Sequence, residues 1–314
     1  MKRILKIGMD VHTTNYTLCA MEPIIGEDDR VFATIKVTLD YKNILLFIEN
    51  LKTKLGLNDE YDIQCGYEAG CLGYSLYNQL TAAGVKCVIL APTTMLTPQG
   101  VRIKTDMRDA YMIAQCLSYG GYHAVYIPTE DDDSVKEYLR MRNDHKLALK
   151  KIKQQINAFC IRHGFCYDGT KWTLKHLKWL KKLEITHELY RETLDEYMAS
   201  YEEQEAKIER YDKRIEEIAE QTKYHDKVKK LECFLGIKTH TALSLIVETG
   251  DFERFAKGNQ YASYLGLAPG ENSSSDSIHR LGITKAGNSH LRQLLIEASG
   301  GIYERKEMVY PWNE

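Results

Sequence analysis

The sequence has no long hydrophobic run. Its apolar stretches, such as Val85 to Ala91 around a single lysine, fall far short of the ~20 residues that cross a bilayer. The opening Met-Lys-Arg leads into only a short apolar segment before Asp10. That is too little for the core of a secretory signal, so a cytoplasmic protein with no membrane partner is expected. A disulfide framework is also missing: the 8 cysteines in 314 residues are scattered, and no C-x-x-C pair occurs. They read as reduced thiols, mostly buried. What is present is an ordinary globular composition, 44% hydrophobic and 27% charged.

The net charge of −2 excludes little, but its distribution is uneven. Residues 1–134 carry 12 basic and 17 acidic side chains; residues 135–182 carry 13 and 3. Residues 183–220 carry 5 and 13, and residues 221–314 carry 12 and 11. A block of +10 within 48 residues is the footprint of a polyanion partner, or else a helix face neutralised by the acidic block after it.

The first 130 residues alternate strand and helix signals. Strands are expected at Ile4–Met9, Tyr16–Met21, Val31–Val37, Asp62–Tyr67 and Val85–Ala91. Helices are expected at Tyr41–Leu55, Leu72–Ala83 and Met107–Leu117. The opening strands follow one another without helices, which predicts a mixed sheet in an α/β domain. From Val135 to about Lys223 the signal is helical, with Gly164 as a stop. Tyr190, Leu194, Tyr197, Tyr201, Gln204, Ile208, Tyr211, Ile215 and Ile218 keep 4-3 spacing, a coiled-coil seam that either dimerises or packs within a helical hairpin. From Asp226 glycines return, with short helices and loops. The expected division is 1–130, 131–224 and 225–314.

Four carboxylates stand out by position. Asp10 and Glu68 close strands; Asp106 and Asp109 open a helix, on one face at i, i+3. Four uncompensated carboxylates cannot share a site without cations, because like charges raise each other's pKa. Hard divalent ions resolve that, and a pair of them serves phosphodiester chemistry. Singly, each has a structural reading too; Asp106, for instance, is a candidate helix cap. Lys104 and Arg108 beside the pair suit phosphate contacts.

Near the C-terminus, Leu-Gly-Ile-Lys-Thr-His-Thr-Ala (235–242) forms a Gly-containing turn between helices. Tyr-Leu-Gly-Leu-Ala-Pro-Gly-Glu-Asn-Ser-Ser-Ser-Asp (264–276) then precedes Arg-Leu-Gly-Ile-Thr-Lys-Ala-Gly-Asn-Ser-His-Leu-Arg (280–292). Three serines in a polar loop ordinarily mark a linker. Here Arg280, Thr284, Lys285, Asn288, His290 and Arg292 flank them, a set suited to a scissile phosphate. A serine needs such positioning to act as a nucleophile.

Together the two constellations resemble the DEDD-type transposases of the insertion-sequence one-ten family, which includes the Piv-type DNA invertases. The patterns that carry the resemblance are K-T-D-x-x-D-A at 104–110 and G-L-x-P…S…G-I-T-K-x-G-N-x-x-L-R between 266 and 292, with Phe252-Glu253-Arg254-Phe255 before them. The resemblance implies a RuvC-like, ribonuclease-H-type domain with Asp10, Glu68, Asp106 and Asp109 as a Mg²⁺ tetrad (Mn²⁺ able to substitute), a coiled-coil middle and a small, mainly helical C-terminal transposase domain. It also implies a recombinase that cuts and rejoins double-stranded DNA, guided by a non-coding bridge RNA and assembled as a dimer or tetramer. The nucleophilic serine falls at Ser274, five residues after Pro269, with Ser273 open as an alternative because Ser275 stands where the family has glycine. Lys238 departs from a second glycine. On this analogy Lys146, Lys150, Lys151 and Lys153 contact phosphates, as do Lys104, Arg280, Lys285, Asn288 and Arg292.

Two other readings remain. A nuclease of the same fold explains the carboxylates and leaves the C-terminal cluster idle. The ending at Pro-Trp-Asn-Glu, where relatives continue, suggests a shortened copy that binds nucleic acid without cutting it. A zinc site at Cys160, His163 and Cys166 lacks an obvious fourth ligand.

Overall fold

A computed structural model describes residues 3–24, 28–56, 61–95, 105–271 and 279–303. The chain divides into two compact units, Met1–Ile127 and Pro128–Glu314.

The first unit is built on five strands: β1 (Arg3–Val11), β2 (Asn15–Glu22), β3 (Arg30–Thr38), β4 (Tyr61–Glu68) and β5 (Lys86–Leu90). They are ordered β3-β2-β1-β4-β5. β1, β2 and β3 form an antiparallel meander; β4 and β5 join parallel to β1. The expected mixed sheet is therefore present. Asp10 lies inside β1, paired with Thr17, one residue before the strand ends.

Helices cover both faces. α1 (Tyr41–Leu55) starts where the Asp40 carboxylate accepts from the Lys42 N–H at 2.9 Å and stops at Gly56 in the left-handed region. α2 (Ser75–Ala82) begins three residues later than its apolar pattern, because Gly73 at φ +52° cannot lie in a right-handed helix. Leu5, Ile7 and Met9 point to the α1/α2 side, into a core with Ile44, Ile48, Leu76 and Leu80. The alternate residues face α3 (Asp106–Tyr119). There Gly8 is a close-approach glycine: a Cβ would stand 2.1 Å from the Ala110 carbonyl oxygen.

Among its described residues the second unit is helical except for one small hairpin. α4 (Glu130–Arg162) and α6 (Glu188–Ala219) run along each other, with α5 (Leu174–Lys181) between them in sequence. The seam points inward: Leu194, Tyr201, Gln204, Ile215 and Ile218 are buried. Its polar position is satisfied, since Gln204 donates to the His145 carbonyl at 3.1 Å and its amide also meets His145 Nδ1. The seam thus packs within a hairpin of one chain. α7 (His225–Glu232), α8 (Thr239–Thr249), α9 (Gly258–Tyr264) and α10 (Ser289–Tyr303) follow. Where only helices and loops were expected, β6 (Pro269–Glu271) pairs antiparallel with β7 (Arg280–Ile283).

Candidate active site

Three strands and a helix start build the first site. Asp10, Thr17 and Lys36 are register partners across β1, β2 and β3, so they lie in one row on the face that α3 covers. Thr105, not Asp106, caps α3: its hydroxyl accepts from the Arg108 N–H at 3.4 Å. Asp106 is left free to face the row, and Lys36 Nζ donates to its Oδ2 at 2.8 Å. His12 Nε2 lies 3.0 Å from Asp10 Oδ2 and 3.9 Å from Asp106 Oδ1. One ligand atom from each of Asp10, His12 and Asp106 falls within 4.8 Å of the others.

The electrostatics follow from that crowding. Burial pushes the Asp10 carboxyl above its usual range, His12 opposes the shift, and Asp109 and Asp106 add to it. Asp106 is held below its usual range, chiefly by the hydrogen bond and charge of Lys36. Asp109 is thus near enough to act on Asp10. Glu68 is exposed at the end of β4, next after Tyr67, the register partner of Met9; it is not one of the clustered ligands. His12 escaped the sequence reading. Its signal was the i, i+2 spacing from Asp10, which puts two donors on one face of extended chain.

The donor set fits a hard divalent cation. Two carboxylates sit close together, one of them resisting ionisation, with the Lys36 ammonium and the His12 ring against them. Cys160, His163 and Cys166 do not form such a group among the described residues; the His163 ring instead packs on Phe159 and Tyr190, at 4.6 and 4.3 Å between centroids.

The C-terminal residues have varied settings. Ser273, Ser274 and Lys104 lie outside the described residues. β6 and β7 bracket the serine loop through the Glu271↔Arg280 pair, and Arg280 and Lys285 are exposed. Asn288 caps α10, its Oδ1 accepting from the Leu291 N–H at 3.1 Å, and its amide donates to Glu248 at 2.9 Å. Arg140 grips the same buried carboxylate through two bonds of 2.7 and 2.9 Å. Arg292 donates to the Leu265 carbonyl at 2.8 Å. The motif glycines serve packing: a Cβ on Gly266 or Gly287 would stand 2.0 Å from a backbone carbonyl oxygen.

In the basic block, Lys150 and Lys151 are exposed on α4, and Lys146 pairs with Glu297 at 3.2 Å. Lys153 sits 5.4 Å from the ring centroids of Trp172 and Tyr201 and 3.8 Å from Glu205. Arg142 and Lys181 also pair with the acidic block, so part of the basic charge is neutralised within the hairpin.

Comparison with known proteins now bears on these residues. Residues 7–160 match the model of the IS110-type DEDD transposases, and residues 228–309 match the transposase IS116/IS110/IS902 family. The transposase for insertion sequence element IS1533 of Leptospira borgpetersenii is 34% identical over 262 residues, covering 82% of this chain and 73% of that protein. The chain belongs to the IS110 transposase family. The putative transposase y4qE of Sinorhizobium fredii is also 34% identical, over 74% of this chain; the match spans 57% of that relative's length. In this IS110-family chain the first matched segment holds all four selected carboxylates, and the second holds the β6–β7 hairpin with Asn288 and Arg292. Among solved structures, Thermus thermophilus RuvC covers 38% of the chain and 99% of its own length at 11% identity and a TM-score of 0.27, too slight a likeness to weigh in the fold assignment. No described helix is long and apolar enough to cross a membrane.

Proposed function

We propose that the chain is a transposase that cuts and rejoins double-stranded DNA, with its metal chemistry in the first unit and a serine nucleophile in the β6–β7 loop. The observation that carries this reading is the meeting of Asp10 and Asp106, in a family member whose second matched segment holds the G-I-T-K-x-G-N-x-x-L-R run. Asp10, Asp106 and Asp109, with Glu68 from the neighbouring strand, would hold Mg²⁺ or Mn²⁺ on a RuvC-like domain. When bound, such ions supply charge stabilisation at the phosphodiester and a more acidic attacking group. Lys36 and His12 hold the Asp106 and Asp10 carboxylates in place.

Ser274, with Ser273 as the alternative, attacks the phosphorus through its hydroxyl oxygen; the phosphoserine P–O bond forms as the P–O bond to a DNA 3′ or 5′ oxygen breaks, and the serine proton ends on the released oxygen as a DNA hydroxyl. Arg280 and Lys285 offer charge to the phosphate as it gains negative charge. A bridge RNA, a dimeric or tetrameric assembly, a three-part division at 131 and 225 and a cytoplasmic location complete the proposal. The test is excision in a cell carrying the whole locus with its flanking DNA. Sequencing should find a circular junction and a resealed donor for wild type, and none for Ser274→Ala or Asp106→Asn.

A nuclease reading has one observation in its favour: the clustered ligands, among the described residues, all belong to the first unit. DNA cleavage that survives Ser274→Ala but not Asp106→Asn would establish it.

A further inference from the structure

α4 ends at Arg162, and the chain returns through residues 163–173 into α5. At that return lies a cavity of about 150 Å³, lined among others by Asn157, Cys160, Tyr167, Lys171, His176 and Trp179. None of these residues belongs to the site proposed above. The volume is below the ~300–1,000 Å³ of pockets for drug-sized ligands and suits one small flat ring system.

Its walls are aromatic and fixed. His176 and Trp179 are stacked, 5.7 Å apart at 18°, and Tyr167 lies 4.7 Å from the first ring and 5.2 Å from the second. The backbone is bent to hold this set. Trp172 has φ +66°, which a bulky residue rarely adopts; it stacks on Tyr201 at 5.4 Å and meets His176 edge-on at 5.2 Å. At Gly169, φ +149°, a Cβ would stand 3.1 Å from the Tyr167 ring. The Trp172 N–H donates to His176 Nδ1 at 3.1 Å. Nδ1 is therefore the acceptor nitrogen, and the neutral ring carries its proton on Nε2. Burial, with Lys171 nearby, favours that neutral form.

The cavity thus combines aromatic faces, the buried His176 imidazole, the Asn157 amide and an exposed ammonium at Lys171. It sits within the 48-residue segment of net charge +10, and Lys175 and Lys178 are exposed on the adjoining α5. We propose that this cavity holds one unstacked nucleobase of a single-stranded nucleic acid, against the Tyr167 and Trp179 rings, with Lys171 on a neighbouring phosphate. Every base offers a π-face to such a platform, and duplex bases do not. The inference rests on nucleic acid being the partner, and on none of the strand-transfer chemistry.

The experiment titrates the full-length protein with fluorescein-labelled decauridylate, deca-thymidylate DNA and a ten-base-pair duplex. It follows anisotropy and the tryptophan emission, to which Trp172 and Trp179 contribute. Single strands should quench that emission. Tyr167→Leu should weaken single-strand binding about tenfold, the loss of one stacked base. Lys171→Gln, an exposed change that leaves the fold intact, should weaken it several-fold and lower the salt slope by about 0.7. Duplex affinity should be the same in all three proteins. RNA and DNA strands binding alike, or RNA more tightly, both agree with the proposal and identify the strand. Unchanged single-strand affinity in both variants, with native circular dichroism, or binding confined to the duplex, overturns it. Loss of excision in the locus assay with this binding intact would strike the transposase reading alone.

Discussion

The two ends of the chain treat their motif polar residues differently. In the first unit Asp10 on β1 and Asp106 at the start of α3 converge, their partners being a lysine and a histidine at the surface. In the second, Asn288 and Arg292 are bound by the protein itself, to Glu248, to the Leu291 N–H and to the Leu265 carbonyl. Like charges brought together leave room for a further cation, whereas a donor matched to a buried carboxylate or carbonyl is already satisfied. A motif is therefore a mixture of residues that meet the ligand and residues that shape the ground under it.

The largest expected effect tests what holds the first site together. Gly8→Ala forces its Cβ against the Ala110 carbonyl and must lift α3, which carries Asp106, off the sheet. Overpacking of this kind costs about 1–3 kcal/mol or more, and the urea midpoint should fall accordingly. Next comes the ion. Manganese at a hundredfold over its dissociation constant should raise stability by about 2.7 kcal/mol in the wild type, measured as the thermal midpoint, and by much less in Asp10→Asn. An equal rise in both would dissolve the contrast between the two ends.

Sharper still is a four-variant set in the second unit. Arg292→Ala should cost about 1–3 kcal/mol, by leaving the Leu265 carbonyl without its donor, and Asn288→Ala about 1–2 kcal/mol, by removing the α10 cap and one of the donors to Glu248. Arg280→Ala, on an exposed strand, should stay within about 0.5 kcal/mol, as should Lys285→Gly at φ +55°. DNA affinity, by contrast, should fall for Arg280→Ala.

The smallest effect is a pH slope. His240 on α8 is pushed down to about 4 by burial first, with Arg142, His290 and Lys146 adding and Asp212 opposing. Its Nε2 is buried with no hydrogen-bond partner among the described residues. The unfolded chain takes up the proton near pH 6.5 and the folded one resists it. Stability should therefore be full above that pH and decline as pH falls from about 6.5 towards 4. His240→Gln should flatten that decline in urea titrations at several pH values.

Much of this was legible in the residues. Period-2 and period-3.6 patterns located the five strands and three helices of the first unit, and α1 runs over the expected Tyr41–Leu55. The seam of α6 was visible as 4-3 spacing, but the helix it faces was not; spacing states which side is apolar and is silent about the partner. Helix starts went astray where a glycine's φ mattered, as at Gly73. The β6–β7 hairpin escaped because strands of three and four residues carry almost no periodicity. At the first site, charge type and position selected Asp10 and Asp106; His12 went unread despite its i, i+2 spacing, and Lys36 emerged only from strand register. Lys36 is 70 residues from Asp106 in sequence.

What the sequence determined by itself is the family, the mixed α/β unit followed by helices, and the chemical types at the candidate site, because motif spacing and hydrophobic period are local properties of the chain. Only the tertiary structure decided which carboxylates meet, which cations answer them, which motif residues the protein keeps for itself and where aromatic rings enclose a cavity. Those depend on strand register and helix packing, which bring together groups that no local pattern relates.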